Sequence, residues 1–121
     1  MNLLLDTHVF IWLLEDESRV PPDALRECEN PENQLHLSIA SVWEMQIKVA
    51  AGKLVFKRPL AEIVEQQKKE NGISILPISL AHIWQLAKLP VHHNDPFDRM
   101  LVAQATADKL TLVTANRHMA R

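Results

Sequence analysis

Three acidic side chains, Asp6, Glu44 and Asp98, stand where a carboxylate is either a local helix device, as a cap or an ion pair, or a ligand. Asp6 closes the apolar run Leu3 to Leu5 and is followed by the helix-patterned His8-Val9-Phe10-Ile11-Trp12-Leu13-Leu14. A buried strand that delivers an acid to its carboxyl end puts it where open α/β sheets bind ligands. A carboxylate there is costly unless it is solvated, paired or bound to a cation. Asp is also a good N-cap, so position alone leaves both roles open.

Glu44 lies in a helix whose Ile39, Val42, Trp43, Gln46, Ile47 and Ala50 form the predicted apolar stripe. It flanks that stripe one turn after Ala40, a small residue that leaves room above the carboxylate. The plainer reading is an exposed i,i+4 pair with Lys48, worth about 0.3–0.5 kcal/mol. In Asp95-Pro96-Phe97-Asp98, Asp95 is placed as N-cap and Pro96 at the first helical position, where its missing N–H costs nothing. Both acids sit at the positive end of the helix dipole. With the cap assigned to Asp95, Asp98 projects toward the carboxyl edge of the sheet. The final strand runs into Thr114-Ala115-Asn116. Asn116 reaches the same edge as Asp6, and its amide oxygen suits a hard cation as well as a turn or cap.

These residues need a frame. The sequence predicts strands over Met1–Leu5, Leu35–Ser38, Ile73–Leu76 and Leu110–Val113. Helices are expected over Thr7–Leu14, from Pro22 to about Glu29, from Ser38 to Ala51 with Gly52 as stop, and from Pro59 to about Asn71 with Gly72 as stop. Two more follow, from a Ser79 cap to about Leu89 and from Asp95 to near Lys109. Strands alternating with helices predict a parallel sheet covered on both faces.

At 121 residues, 47% apolar and 23% charged, the chain fits one globular domain over 1–121. A formal net charge of −2 argues against nucleic-acid binding by one broad basic surface. The lone Cys28 rules out an internal disulfide and fits a cytoplasmic protein, with the thiol inert. The start has no basic region ahead of an apolar stretch, so no secretory signal is expected. The longest apolar run, Val9 to Leu14, is too short to span a bilayer. The six histidines are scattered and form no His-Glu-x-x-His pair; His92 and His93, beside Asp95, read as loop residues. Trp12, Trp43 and Trp84 fall in helical patterns and are expected in core or interface packing.

Leu4-Leu5-Asp6-Thr7-His8, Ser38-Ile39-Ala40-Ser41-Val42-Trp43-Glu44-Met45 and the block from His93 through Asp95-Pro96-Phe97-Asp98-Arg99 to Ala105 together resemble a PIN domain. More closely they resemble the VapC-type toxin ribonucleases of bacterial VapBC toxin–antitoxin pairs. The resemblance runs over essentially the whole chain. It implies a PIN-like three-layer α/β/α fold with a central parallel sheet of about four to five strands, and an acidic pocket at the strands' carboxyl ends. It maps the first three family acids onto Asp6, Glu44 and Asp98 as catalytic, metal-holding residues. The fourth family acid falls on Asn116, a neutral replacement that weakens a second cation site more than the first. Thr7, Asp95 and Thr114 neighbour these positions as caps or supports. Family members often carry a further short strand beyond the point where this sequence stops, Arg121.

Three close carboxylates repel unless a cation or protons neutralise them. Oxygen-only ligands suit Mg2+ or Mn2+. Such an ion acidifies a water and stabilises charge developing on a phosphodiester, so the expected activity is metal-dependent RNA hydrolysis. Arg99, Lys48 and Lys53 are candidates for steering the RNA backbone, or else solvated surface charges. The resemblance further implies a VapB-like antitoxin laying a segment over the pocket, and a homodimer. For the homodimer the sequence offers a first helix, Phe10 to Leu14, that is apolar nearly all round. The competing expectation is a catalytically weakened PIN fold that binds antitoxin or RNA, on the strength of Asn116. An aspartyl-nucleophile phosphatase needs a second Asp two residues after the first, where His8 stands. A receiver-like domain needs an acceptor ending a middle strand, where Leu76-Pro77 offers none.

Overall fold

Leu3, Leu4 and Leu5 are shielded almost completely from water. A strand that is apolar on both faces is stable only at the centre of a sheet covered on both sides. The computed structural model describes residues 1–90 and 95–114 and builds that sheet. Its elements in chain order are β1 (Asn2–Leu5), α1 (Thr7–Glu15), a 3-10 turn (Glu17–Arg19), α2 (Pro22–Glu29), β2 (Gln34–Ser38) and α3 (Ile39–Ala50). Then come α4 (Leu60–Asn71), β3 (Ser74–Leu76), α5 (Leu80–Leu86), α6 (Pro96–Asp108) and β4 (Thr111–Val113).

The strands pair in the order β3-β2-β1-β4, all parallel. Leu3 and Leu5 point into a core with Val9 and Phe10 of α1, Met45 of α3 and Leu60 of α4. Leu4 lies on the other face with Leu101 and Ala105 of α6 and with Leu112. The result is a sheet between two helical layers, as the alternation of strands and helices predicts. The chain winds outward from β1 to β3 and then returns for β4 on the other side of β1. That reversal puts a crevice at the carboxyl ends of β1 and β4, where such sheets bind ligands.

Two expectations about the helices are corrected. In α3 the predicted apolar stripe faces outward, with Ile39, Trp43 and Ile47 all exposed and Trp43 retaining 59% of its surface. The buried positions are Ala40, Ser41, Glu44 and Met45. Ser41 accepts a 2.8 Å hydrogen bond from the Thr7 hydroxyl of α1, so a polar edge is satisfied inside while large apolar groups remain outside. The predicted helix from Ser79 to about Leu89 ends instead at Leu86 and tightens into i→i+3 bonds as far as Leu89. Pro90 disfavours helical backbone at the residue before it. Arg99 donates to the carbonyls of Leu86 and Pro90, satisfying groups a longer helix would have used.

His82 is more than a scattered histidine. Its Nδ1 accepts from the Ser79 N–H at 3.0 Å, closing a capping box with the Ser79 hydroxyl. The ring proton therefore lies on Nε2, which donates to Asp108 at 2.9 Å and clamps α5 to α6. In α1, Val9 and Phe10 are buried and Ile11 to Leu14 pack partly exposed against the core. Most of the exposed large apolar groups lie instead on α3 and, at Leu80, Ile83 and Trp84, on α5, with Met1 and Val55 outside the helices. Trp43 and Trp84 are thus not core residues. Among the described residues no helix is long and apolar enough to cross a membrane.

Gly72 ends α4 in the left-handed region at φ 63°, as its role as helix stop predicts. A Cβ added there meets nothing within 4 Å, so strain in φ is the whole effect. Gly72→Ala is expected to lower stability by about 1 kcal/mol, read by urea denaturation with an unchanged m-value.

Candidate active site

Asp6 uses both carboxylate oxygens within the fold. It is 4% exposed. Oδ1 accepts the His8 N–H at 3.1 Å and caps α1, while Oδ2 accepts the Thr114 hydroxyl at 2.6 Å. The Asp6 N–H donates to the Val113 carbonyl at 3.0 Å. The ends of β1 and β4 are therefore joined twice at the crevice. The cap and ligand readings of Asp6 do not exclude each other: capping engages one oxygen, and the other faces the neighbouring strand end.

Glu44, also 4% exposed, reaches the interior from α3. Lys48, one turn later, donates to Oε2 at 2.8 Å. The i,i+4 pair expected at the surface exists, but its acid is buried. Glu44 Oε1 is buried and has no hydrogen-bond partner among the described residues. An unpaired buried carboxylate oxygen is expensive and marks a place for a cation or water.

Asp95 caps α6 as its position predicts, accepting from the N–H groups of Phe97 at 2.8 Å and Asp98 at 3.3 Å. Asp98 is left to the side, half-buried. Burial, then the negative charges of Asp95, Asp6 and Glu44, push its carboxyl up to about 6, with His8 opposing. Asp6, Glu44 and Asp98 come from three distant stretches and feel one another's charge. They do not converge on a ready-made cage: among the described residues no three His, Cys, Asp or Glu gather closely enough to hold a metal. The donors fit a hard divalent cation in kind, all being oxygens and one of them an orphan.

The supporting residues sort by contact. Thr7 and Thr114 hold α1 and Asp6 as described, and Asp95 caps. Ser41 is a support that sequence reasoning missed; its signal is a hydroxyl three residues before Glu44 on the same helical face. Lys48 lines a recess of about 410 Å³ with Glu44, Ile47, Asp95, Pro96 and Phe97. The Glu44 hydrogen bond, then the charges of Glu44, Asp95 and Asp98, outweigh burial and raise its pKa. Lys53 is exposed in the turn after α3, and the Arg99 guanidinium is engaged by the two carbonyls at the end of α5. A roomier recess of about 600 Å³ lies at the amino ends of β2 and β3, away from the acids, with Cys28 in its lining. Burial and the charges of Glu27 and Glu29 push that thiol up to about 11, so it stays protonated and unreactive at neutral pH. Asn116, His92 and His93 lie outside the described residues.

A family model of the PIN domain matches residues 3–121. No curated protein matches the sequence. Among solved structures, that of VapBC2 from Rickettsia felis bound to a DNA fragment from their promoter is similar at a TM-score of 0.69 and 19% identity, covering 96% of this chain and 89% of that one. VapBC-1 from nontypeable Haemophilus influenzae gives 0.70 and 18%, with 98% and 90% covered. FitAcB from Neisseria gonorrhoeae gives 0.63 and 19%, with 97% and 89% covered. At these identities the likeness is one of fold.

Asp98 supplies a pH signature in metal-free protein. Its folded-state pKa of about 6 lies above the ordinary carboxylate range, so its favourable contribution is present at low pH and is lost as pH rises through that window. Asp98→Asn removes this loss. In EDTA the melting temperature of the variant relative to wild type is expected to climb between about pH 4 and pH 6 and level off above. A constant difference across that range would mean that the carboxyl titrates normally.

Proposed function

We propose, from a chain that belongs to the PIN domain family, that it is a metal-dependent endoribonuclease, the toxin of a toxin–antitoxin pair acting as one domain in the cytoplasm. The observation that carries this reading is the orphaned, buried oxygen of Glu44 at a sheet edge where Asp6 and Asp98 also stand. PIN domains are generally nucleases, and the similar solved structures include VapBC complexes. Asp6, Glu44 and Asp98 would hold one Mg2+ or Mn2+, with Asn116 as a neutral further ligand. When bound, that ion supplies an acidified water and offsets negative charge developing on the phosphodiester.

The chain's own residues do the rest. Thr114 and the His8 N–H fix the Asp6 carboxylate in one orientation, which limits the reorganisation needed on binding. The Asp95 cap fixes the first turn of α6 and with it Asp98. Lys53, exposed in the turn after α3, would meet RNA phosphates, and Lys48 would do so on leaving Glu44. Arg99 joins them only by giving up its carbonyl partners. A VapB-like antitoxin would lay a segment across this edge, a basic side chain substituting for the ion's charge.

For the homodimer, the apolar outer surfaces of α3 and α5 would supply the contact. Ile39, Trp43 and Ile47 on α3 and Leu80, Ile83 and Trp84 on α5 are exposed and apolar, which supports this reading.

Two measurements test the proposal. Wild type is expected to cleave structured RNA only with Mg2+ or Mn2+ and to bind Mn2+ saturably in a calorimeter. Asp6→Asn should lower cleavage by about 100-fold or more and abolish saturable binding. Equal cleavage by both proteins rejects the site, and wild type without saturable binding leaves only a binding module. Separately, Trp43→Glu with Trp84→Glu should convert a dimer to a monomer in light scattering. An unchanged mass places the dimer contact elsewhere.

A further inference from the structure

We propose that Lys48 is a tethered counter-ion of the acidic site, neutralising Glu44 through one oxygen and competing with the divalent cation for it. The inference rests on the metal-site reading above and concerns how that site is regulated. Helix pitch imposes the contact: residues four apart lie one above the other, and here the separation is 2.8 Å. The pair is asymmetric, since the Glu44 side chain is 5% exposed and that of Lys48 38%. An exposed pair of this kind contributes little, but breaking one with a buried partner leaves an uncompensated charge in the interior.

Lys48 does more than close a local pair. The charges of Asp95 and Asp98, on another helix, also act on its ammonium group. Its positive charge therefore acts beyond Glu44, although Glu44 is the acid it touches. Its single contact takes Oε2 and leaves Oε1 without a partner among the described residues, the oxygen that Glu44 would offer a cation. The recess of about 410 Å³ that Lys48 lines gives the ammonium room to swing aside on a flexible stem. Two consequences follow from charge alone. Without metal, Lys48 stabilises the fold. With metal, it repels the incoming ion and keeps affinity below what the acids would otherwise produce.

The test titrates Mn2+ at pH 7 into full-length wild type, Lys48→Met, Lys48→Gln and Lys48→Arg by calorimetry, with melting in EDTA alongside. Lys48→Met and Lys48→Gln are expected to melt lower than wild type without metal, yet to bind Mn2+ about three- to tenfold more tightly. Lys48→Arg, which keeps the charge, should match wild type in both. Lys48→Gln preserves a donor to Oε2, so it answers the question even if Lys48→Met fails to fold. Unchanged or weaker Mn2+ affinity in the neutral variants overturns the proposal, as does Lys48→Arg behaving like them. Wild type without saturable Mn2+ binding removes the metal site itself, and this proposal with it.

Discussion

One carboxylate governs the arrangement. Asp6 caps α1, takes the hydroxyl of Thr114 and, through its backbone, ties β1 to β4. These bonds lie at the reversal of strand order, where a parallel sheet has no crossover to hold neighbouring strand ends together. The acid is therefore structural before it is chemical. Its carboxylate orientation is set by two donors, the His8 N–H and the Thr114 hydroxyl, one from each side of the strand end.

The two other acids are held by different means. Asp98 is placed by a local device, the Asp95 cap with Pro96 at the first helical position. Glu44 is placed by a tertiary one: α3 turns its Ala40-Ser41-Glu44-Met45 edge inward, and the Thr7–Ser41 bond fastens that edge to α1. His82, in the first turn of α5, and Arg99, which reaches carbonyls at and just beyond its last residue, fasten that helix at both ends to the helix that carries Asp98. Each of the three acids thus stands at or on a helix whose N-terminus is capped by a side chain.

What could be read from the sequence divides along the same line. The Asp95 cap, the Gly72 stop, the four strands and their parallel arrangement depend on neighbours in the chain or on apolar runs, and all were legible. The pairing of Glu44 with Lys48 was legible as helix spacing, but the burial of Glu44 was not. Burial depends on which face of α3 meets the sheet, and the apolar pattern pointed to the face carrying Trp43. That pattern failed because satisfied hydroxyls and a paired acid can occupy an interior as well as methyl groups can, while large side chains remain outside. The His82–Asp108 clamp and the carbonyl contacts of Arg99 span 26 and up to 13 residues and left no local trace.

Outside the acids, the rings of Trp43 and Phe97 meet edge to face with centroids 5.2 Å apart. This contact spans the gap between the helix carrying Glu44 and the first turn of the helix carrying Asp98. Packed there, the two rings brace α3 against α6 on the solvent side and draw part of an otherwise exposed indole out of water. Loss of either ring would be felt first as a looser seam between these two helices, not as a missing polar group.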